Sequence, residues 1–142
     1  MITIKNLICM LMLIFLYSLG FAQEQHRAEE SDLKVTKMVF CTEIIGREPL
    51  TEESSFANDT PKVYCFTKIE GAQFDMQITH KWFYQDSLMA EVPLSVRSAA
   101  WRTYSSKKMI PEWTGTWRVI VVDDSGKAIR EESFEFKKEE TD

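Results

Sequence analysis

The feature that most constrains the fold is a period-two alternation of apolar and polar residues, repeated between turn signals from Leu33 onward. The clearest run is 76–85, where Met, Ile, His, Trp and Tyr occupy every second position and mostly polar residues separate them. Only Phe83 breaks this pattern. Such alternation is typical of strands with one buried face. No segment longer than about six residues carries a capped helical stripe, so the sequence predicts an all-β fold.

The spacing of the strands refines this prediction. Short alternating segments recur at intervals of roughly ten residues between turn signals, which is typical of an antiparallel, immunoglobulin-like β-sandwich of about seven strands. The turns Asp86-Ser87 and Asp124-Ser125-Gly126 each predict a hairpin. A long loop over 46–61, with a short strand around Phe56, separates the first two strands. The predicted strands are 34–43, 62–69, 76–85, 88–96, 101–107, 116–123 and 127–137.

The start of the chain predicts export. A single charged residue, Lys5, precedes an apolar run from Leu7 to Phe21, and a small residue, Ala22, ends the segment. This run is shorter than the ~20 apolar residues of a membrane-spanning helix, and acidic sequence follows it, so residues 1–22 are interpreted as a cleaved secretory signal. The alternative is an uncleaved N-terminal anchor. Cleavage leaves no transmembrane segment and places the protein in the periplasm, on the outer surface or in the medium. The predicted divisions are a signal peptide over 1–22, a flexible acidic spacer over 23–32, a β-sandwich domain over 33–138 and an acidic tail over 139–142.

Charge and aromatic residues single out one candidate surface. The chain has a formal net charge of −5, which argues against a general affinity for nucleic acid. The window from Arg97 to Lys108, however, contains four basic residues and no acidic one. Indole rings beside basic side chains can stack on sugars or form cation–π contacts, so an envelope glycan or an acidic protein surface is the expected partner. The alternative is that the tryptophans of this region cap one end of the sandwich. The predicted ligand-binding residues are Trp101, Arg102, Tyr104, Lys107 and Trp113, with Arg97 as a secondary candidate.

The remaining candidates are residues expected in the interior. Trp82 and Trp117 lie on alternating strands with apolar neighbours, so both are predicted to be structural core residues. His80 shares a face with Trp82 and is either a buried, hydrogen-bonded neighbour or a secondary ligand contact. Cys41 and Cys65 either form a disulfide, which would stabilise an exported domain by roughly 3–4 kcal/mol, or remain two small buried side chains.

Catalytic and metal sites are not expected. His80 is the only histidine of the predicted domain, and no group of His, Cys and Asp has metal-ligand spacing, so no metal and no cofactor are predicted. Ser105 or Ser106 could meet His80, but neither lies in a Gly-x-Ser-x-Gly turn. The prediction is that the protein is not an enzyme.

Short motifs along most of the chain carry a family resemblance. They are Arg47-Glu48-Pro49, Val63-Tyr64 with Phe66-Thr67, His80-Lys81-Trp82 with Tyr84, Trp101-Arg102, Tyr104-Ser105-Ser106-Lys107, Gly115-Thr116-Trp117-Arg118-Val119, Val122-Asp123 with Gly126, and Ser133-Phe134. With these motifs, residues 38–137 resemble a bacterial family of domains of unknown function, DUF2914. The resemblance implies an exported or envelope-associated β domain, and it implies no activity.

The sequence therefore predicts an exported, non-catalytic binding or accessory module of the bacterial cell envelope, without specifying its ligand. One alternative is a carbohydrate-binding module that uses exposed tryptophan and tyrosine side chains. An alternative of another class is a purely structural or assembly domain.

Overall fold

The computed structural model describes residues 32–140, which all belong to one compact unit, Ser31–Asp142. The predicted signal peptide, residues 23–31 of the predicted spacer and residues 141–142 of the predicted tail lie outside the described residues. Within 32–140 the structure contains ten strands and no helix. The strands are β1 (Lys34–Cys41), β2 (Ile44–Ile45), β3 (Glu48–Pro49), β4 (Ser55–Ala57), β5 (Lys62–Glu70), β6 (Met76–Tyr84), β7 (Ser87–Val96), β8 (Ala100–Lys108), β9 (Gly115–Val122) and β10 (Ala128–Lys137).

These strands form two main sheets that pack face to face. One is a three-stranded antiparallel sheet in the order β1-β5-β8, and the other is a five-stranded sheet in the order β4-β10-β9-β6-β7. β4 pairs with β10 in parallel, and every other pair of the five-stranded sheet is antiparallel. The ring of Phe40 in β1 lies 4.7 Å from that of Phe134 in β10 and 6.4 Å from that of Trp82 in β6, measured between centroids. The expected all-β, sandwich-like fold is therefore confirmed.

Aromatic side chains dominate the interior, because every second residue of a strand faces the core and many of these positions are aromatic. Trp82 and Trp117 are completely buried. The Trp117 ring stacks between Tyr84, at a centroid distance of 4.9 Å, and Phe134, at 6.2 Å. Aromatic side chains of this size bury about 150–250 Å² each, so at roughly 25 cal/mol per Å² each of these rings contributes several kcal/mol to folding.

Phe83, the apolar residue that broke the alternation, lies on the outer face as its position in β6 requires, and the Arg118 guanidinium covers its ring at 4.5 Å. The pairing of β6 with β7 shifts register between Trp82 and Phe83, and the extra residue of this β-bulge is Met89 of β7. Tyr84 then pairs with Ser87, and the turn residues are Gln85 and Asp86. The predicted turn at Asp86-Ser87 is therefore wrong by one residue, because Gln85 leaves the extended conformation and enters the turn with a φ of 52°.

A small hairpin replaces part of the predicted long loop. β2 and β3 pair through a two-residue turn, Gly46-Arg47, in which both residues have positive φ, 57° and 66°. A type I′ turn requires this geometry, which is unusual for an arginine. The Nε of Arg102 in β8 lies 2.7 Å from the Glu48 carboxylate of β3, so the hairpin is held against the outer face of the three-stranded sheet.

The cysteines do not form a disulfide. β1 pairs Cys41 with Tyr64, whereas Cys65 pairs with Phe40, so the two cysteine side chains point to opposite faces of the sheet. A bridge needs both on one face, and both thiols are free and buried. The possible Cys41–Cys65 disulfide is therefore wrong. Burial raises the pKa of both thiols, most strongly that of Cys65, so neither is a reactive thiolate at neutral pH.

Candidate functional site

A chain of hydrogen bonds crosses the sandwich core at His80. His80 and Trp82 of β6 face the three-stranded sheet, where Thr67 of β5 and Ser105 of β8 meet them. His80 Nδ1 lies 2.7 Å from Ser105 Oγ, and His80 Nε2 lies 3.2 Å from Thr67 Oγ1. Trp82 donates its indole N–H to the same Ser105 oxygen at 3.0 Å. The network thus joins the two sheets through side chains.

One arrangement of protons satisfies every member of this network. Thr67 donates its only hydroxyl proton to the Thr103 carbonyl at 3.2 Å, so its oxygen must accept a proton from His80 Nε2. The neutral imidazole then accepts at Nδ1, where Ser105 donates. Burial lowers the pKa of His80 to about 3, so the ring is neutral at physiological pH.

This arrangement holds the sheets together and offers nothing to a substrate. Ser105 and His80 have the contact of a nucleophile and a base, but His80 is completely buried and Ser105 is 4% exposed. The Ser105 proton is donated to His80 while its oxygen accepts from Trp82, so both of its polar groups are occupied. Of the two interpretations of His80, the structure shows the buried, hydrogen-bonded side chain. The prediction of His80 as a secondary ligand contact is wrong.

The predicted binding residues of β8 are divided between two faces. Side chains alternate along a strand, and the pattern of burial places Arg102 and Tyr104 on the outer face of the sheet. Trp101 and Lys107 point the other way, and Trp101 packs against the core. The prediction that these residues share one surface is therefore wrong. Residues an odd number of positions apart on a strand, such as Trp101 and Arg102 or Tyr104 and Lys107, point to opposite faces of the sheet.

Trp113 lies at the far end of β8 from Trp101. Its ring sits 4.7 Å from Lys107 Nζ and 5.7 Å from the Trp117 ring, and its carbonyl accepts a hydrogen bond from the Trp117 indole at 2.9 Å. Trp101 and Lys107 are six residues apart on one strand, or about 20 Å. Trp113 is partly buried and packs against the core, so it caps one end of the sandwich, as the alternative reading expected. Burial lowers the pKa of Lys107.

Trp101 and Arg102 remain together at the near end of β8, where they line an open groove of about 380 Å³. Arg47 reaches this groove from the β2–β3 turn, and Lys68 reaches it from β5, where its backbone pairs with Arg102. We call this the cationic groove. Its lining residues are Arg47, Lys68, Ser98, Ala100, Trp101 and Arg102.

The positive charge of the cationic groove is only partly neutralised. Arg102 forms an exposed ion pair with Glu48, and Lys68 lies 3.8 Å from Glu70. Arg47 makes no ion pair or hydrogen bond with any described residue. Guanidinium groups present several N–H donors in a plane and bind carboxylate, sulfate or phosphate through paired hydrogen bonds. The arrangement can therefore hold an anionic group.

Arg47 and Lys68 are the charged groove residues that the sequence prediction missed. Lys68 could have been recognised as an outward residue, because it alternates with buried Thr67 and Ile69 in β5. Its position beside Arg102 depends on the β5–β8 pairing, which alternation does not specify. Arg97 is exposed and lines a separate open groove with Asp75 and Asp124, so it does not join the cationic groove.

Two further properties concern the part of the chain that the structure describes. No group of three or more His, Cys, Asp and Glu side chains between residues 32 and 140 is arranged to hold a metal ion. Over the same residues, no helix has the length and apolar character needed to cross a membrane.

Comparison with known proteins gives a family but no activity. No curated protein matches the chain. The family model described as "Protein of unknown function (DUF2914)" matches residues 75–136, which run from the start of β6 almost to the end of β10. Trp101 and Arg102 lie inside the matched segment, whereas the expected motif Arg47-Glu48-Pro49 and the motifs of β5 lie before it. Over residues 75–136 the chain is similar to the DUF2914 family, which confirms the expected resemblance for that segment.

Proposed function

We propose that this protein is an exported, non-catalytic binding module of the bacterial cell envelope and that it binds an anionic ligand in the cationic groove. The observation that carries this proposal is the convergence of Arg47, Lys68 and Arg102 beside Trp101, in a chain whose net charge is negative. Export rests on the single charge at Lys5 and the apolar run that follows it. A local positive site on an acidic protein favours a specific anion over general adhesion to polyanions.

The order of the strands supports a finer proposal, that the sandwich is immunoglobulin-like. In that fold the first, second and fifth strands share one sheet, the third, sixth and seventh form the other, and the variable type adds a strand, C′, beside the third. The long strands here fit this division with β7 in the C′ position, since β1, β5 and β8 form one sheet while β10, β9, β6 and β7 are consecutive in the other. Trp82 also lies buried on the third long strand, β6.

An anionic ligand has better support than a neutral sugar stacked on exposed tryptophans. Trp101 and Trp113 both pack against the core, and Lys107 covers one face of Trp113. Neither ring is a free platform. The guanidinium groups of Arg47 and Arg102, by contrast, border an open space, and Arg102 has a side-chain exposure of 50%.

Binding of two matched polymers tests this proposal. Dextran sulfate and dextran share a backbone and differ in charge, so the purified exported protein should bind the first and not the second in a titration at physiological ionic strength. Arg47→Ala should weaken dextran sulfate binding about ten-fold, equivalent to about 1.4 kcal/mol. The matched control is Arg118→Ala, which removes an arginine from the outer face of the other sheet and should leave binding unchanged. Equal losses in both variants, or no binding of dextran sulfate, would contradict the proposal.

The N-terminus of the protein tests export separately. Mass spectrometry of protein isolated from its native host should find an N-terminus at or near Gln23, because cleavage is expected after Ala22. An intact Met1 on membrane-bound protein would show an uncleaved anchor instead.

A further inference from the structure

We infer that the ligand is a linear acidic polysaccharide that begins in the cationic groove and runs along the outer face of β8 to Lys108. This inference rests on the proposed function, because it assigns the ligand class of the same site. Four observations carry it: the line of outward side chains, the positive charge at both ends, the exposed aromatic ring between them and the absence of acidic residues from β8.

The outer face of β8 forms a straight row of side chains. Arg102, Tyr104, Ser106 and Lys108 occupy alternate positions and are all exposed. Successive outward side chains on a strand are about 6.6 Å apart, so Arg102 and Lys108 are separated by about 20 Å. A ligand that contacts both ends must therefore be extended and longer than one sugar unit.

Positive charge is concentrated at the two ends of this row. The cationic groove lies at one end. At the other end Lys108 of β8 pairs directly with Lys62 of β5, so both lysine side chains leave the same face of the sheet from neighbouring positions. Neither lysine forms an ion pair with a described residue, and no carboxylate lies on β8. Two separated positive sites fit a chain that repeats its negative charges.

An aromatic pair lies between the charged ends. Tyr104 is 44% exposed, and its ring meets Tyr64 edge to face at a centroid distance of 6.0 Å. Lys62 Nζ lies 5.7 Å from the centre of the Tyr64 ring. The supported ring of Tyr104 offers an apolar surface and a hydroxyl at one position, which suits the apolar and polar faces of a sugar ring. Inorganic anions would make no use of it.

The face of a sheet suits a glycan better than an acidic peptide. Peptides usually join a sheet at its edge, where unpaired backbone groups add hydrogen bonds, or place side chains in pockets. β8 is the edge strand of the three-stranded sheet, but Arg102, Tyr104 and Lys108 project from its face and not along its unpaired backbone edge. The acidic peptide is therefore the alternative that the experiment has to exclude.

The experiment is a series of oligogalacturonates of increasing length, measured by titration calorimetry against the exported protein. Affinity should rise with length until the oligomer spans Arg102 to Lys108, and then level off. Lys108→Ala should weaken the longest oligomer about ten-fold and leave the shortest binder unchanged. The matched control is Lys81→Ala, a lysine on the outer face of the other sheet, which should not alter either affinity. Polyglutamate of similar length and charge should bind more weakly.

The aromatic contact has its own pair of variants. Tyr104→Ala should weaken the longest oligomer about ten-fold, whereas Tyr104→Phe keeps the ring and should retain most of the affinity. Melting curves of both variants should match the parent, because Tyr104 is exposed.

The possible failures are distinguishable. Binding that depends on Arg47 but not on oligomer length, Lys108 or Tyr104 would overturn the extended site and leave the anion-binding module intact. Polyglutamate that binds as tightly as the uronate oligomer, without dependence on Tyr104, would replace the glycan by an acidic peptide. Absence of binding to every anionic polymer would reject the proposed function itself.

Discussion

The outer faces of the two sheets use their charged residues differently. On the five-stranded sheet two outward cations at the centre of the face are matched: Lys81 pairs with Glu91 and Arg118 with Glu131, each at 3.3 Å. The Arg118 guanidinium also covers the Phe83 ring at 4.5 Å. On the three-stranded sheet Arg47, Lys62 and Lys108 form no ion pair with any residue between 32 and 140, and Tyr104 is uncovered. A cation that is already paired with a carboxylate or stacked on a ring binds an anionic ligand less strongly than an unpaired cation. The outer face of the three-stranded sheet is therefore the expected binding face.

The largest expected effect is on stability: removing a buried aromatic ring should cost far more free energy of unfolding than removing an exposed one. Trp82→Ala and Trp117→Ala remove completely buried rings and should each lower the free energy of unfolding by about 3–5 kcal/mol. Tyr104→Ala removes a similar ring from the outer face and should change it by less than about 1 kcal/mol. Chemical denaturation of the three variants measures the difference. A severe loss in Tyr104→Ala, or near-parental stability in either tryptophan variant, would reverse the assignment of the faces.

Alternation accounts for most of what the sequence could predict about the fold. The predicted strands for β1 and β5–β10 differ from the observed bounds by at most two residues at each end, because one buried face imposes a period of two. The β2–β3 hairpin was missed because two-residue strands are too short to show a period. The turn after β6 was misplaced because Gln85 has a positive φ, which an alternating pattern does not reveal.

The candidate site was less predictable than the fold, since it depends on pairing between distant segments. Trp101 and Arg102 were identified from composition alone. Lys68 joins them through the antiparallel register of β5 and β8, and Arg47 joins them through a turn with positive φ. Trp113 was grouped with them because no alternating apolar partners predict its burial, although the length of β8 separates it from Trp101. Composition can find charged and aromatic residues, but register decides which of them meet.

The second prediction concerns the buried polar side chain of His80, whose protonation should make the stability of the fold depend on pH. The pKa of His80 is lowered by burial to about 3 in the folded protein, against about 6.5 in the unfolded chain. The unfolded chain therefore binds the proton more readily, and stability is lost as pH falls below about 6.5. Between pH 7 and pH 5 the free energy of unfolding should fall by about 2 kcal/mol from this group.

Denaturation at a series of pH values measures this slope, and two histidine variants identify its source. His80→Gln should flatten the dependence between pH 7 and pH 5. His26→Gln changes the other histidine, which lies in the predicted spacer, and should leave the slope as it is. A slope that persists in His80→Gln would show that protonation of another group destabilises the fold.

The smallest effects should come from the carboxylates that neutralise one arginine on each face. Glu48→Gln removes the charge opposite Arg102, and Glu131→Gln does the same for Arg118. Both pairs are exposed, so each change should alter the free energy of unfolding by less than about 1 kcal/mol. Their effects on ligands should nevertheless differ. Glu48→Gln releases an arginine beside the cationic groove and should raise the affinity for dextran sulfate a few-fold. Glu131→Gln should leave it unchanged, because Lys81, the cation beside Arg118, is itself paired with Glu91. Equal gains in both variants would show that net charge, and not the groove, determines binding.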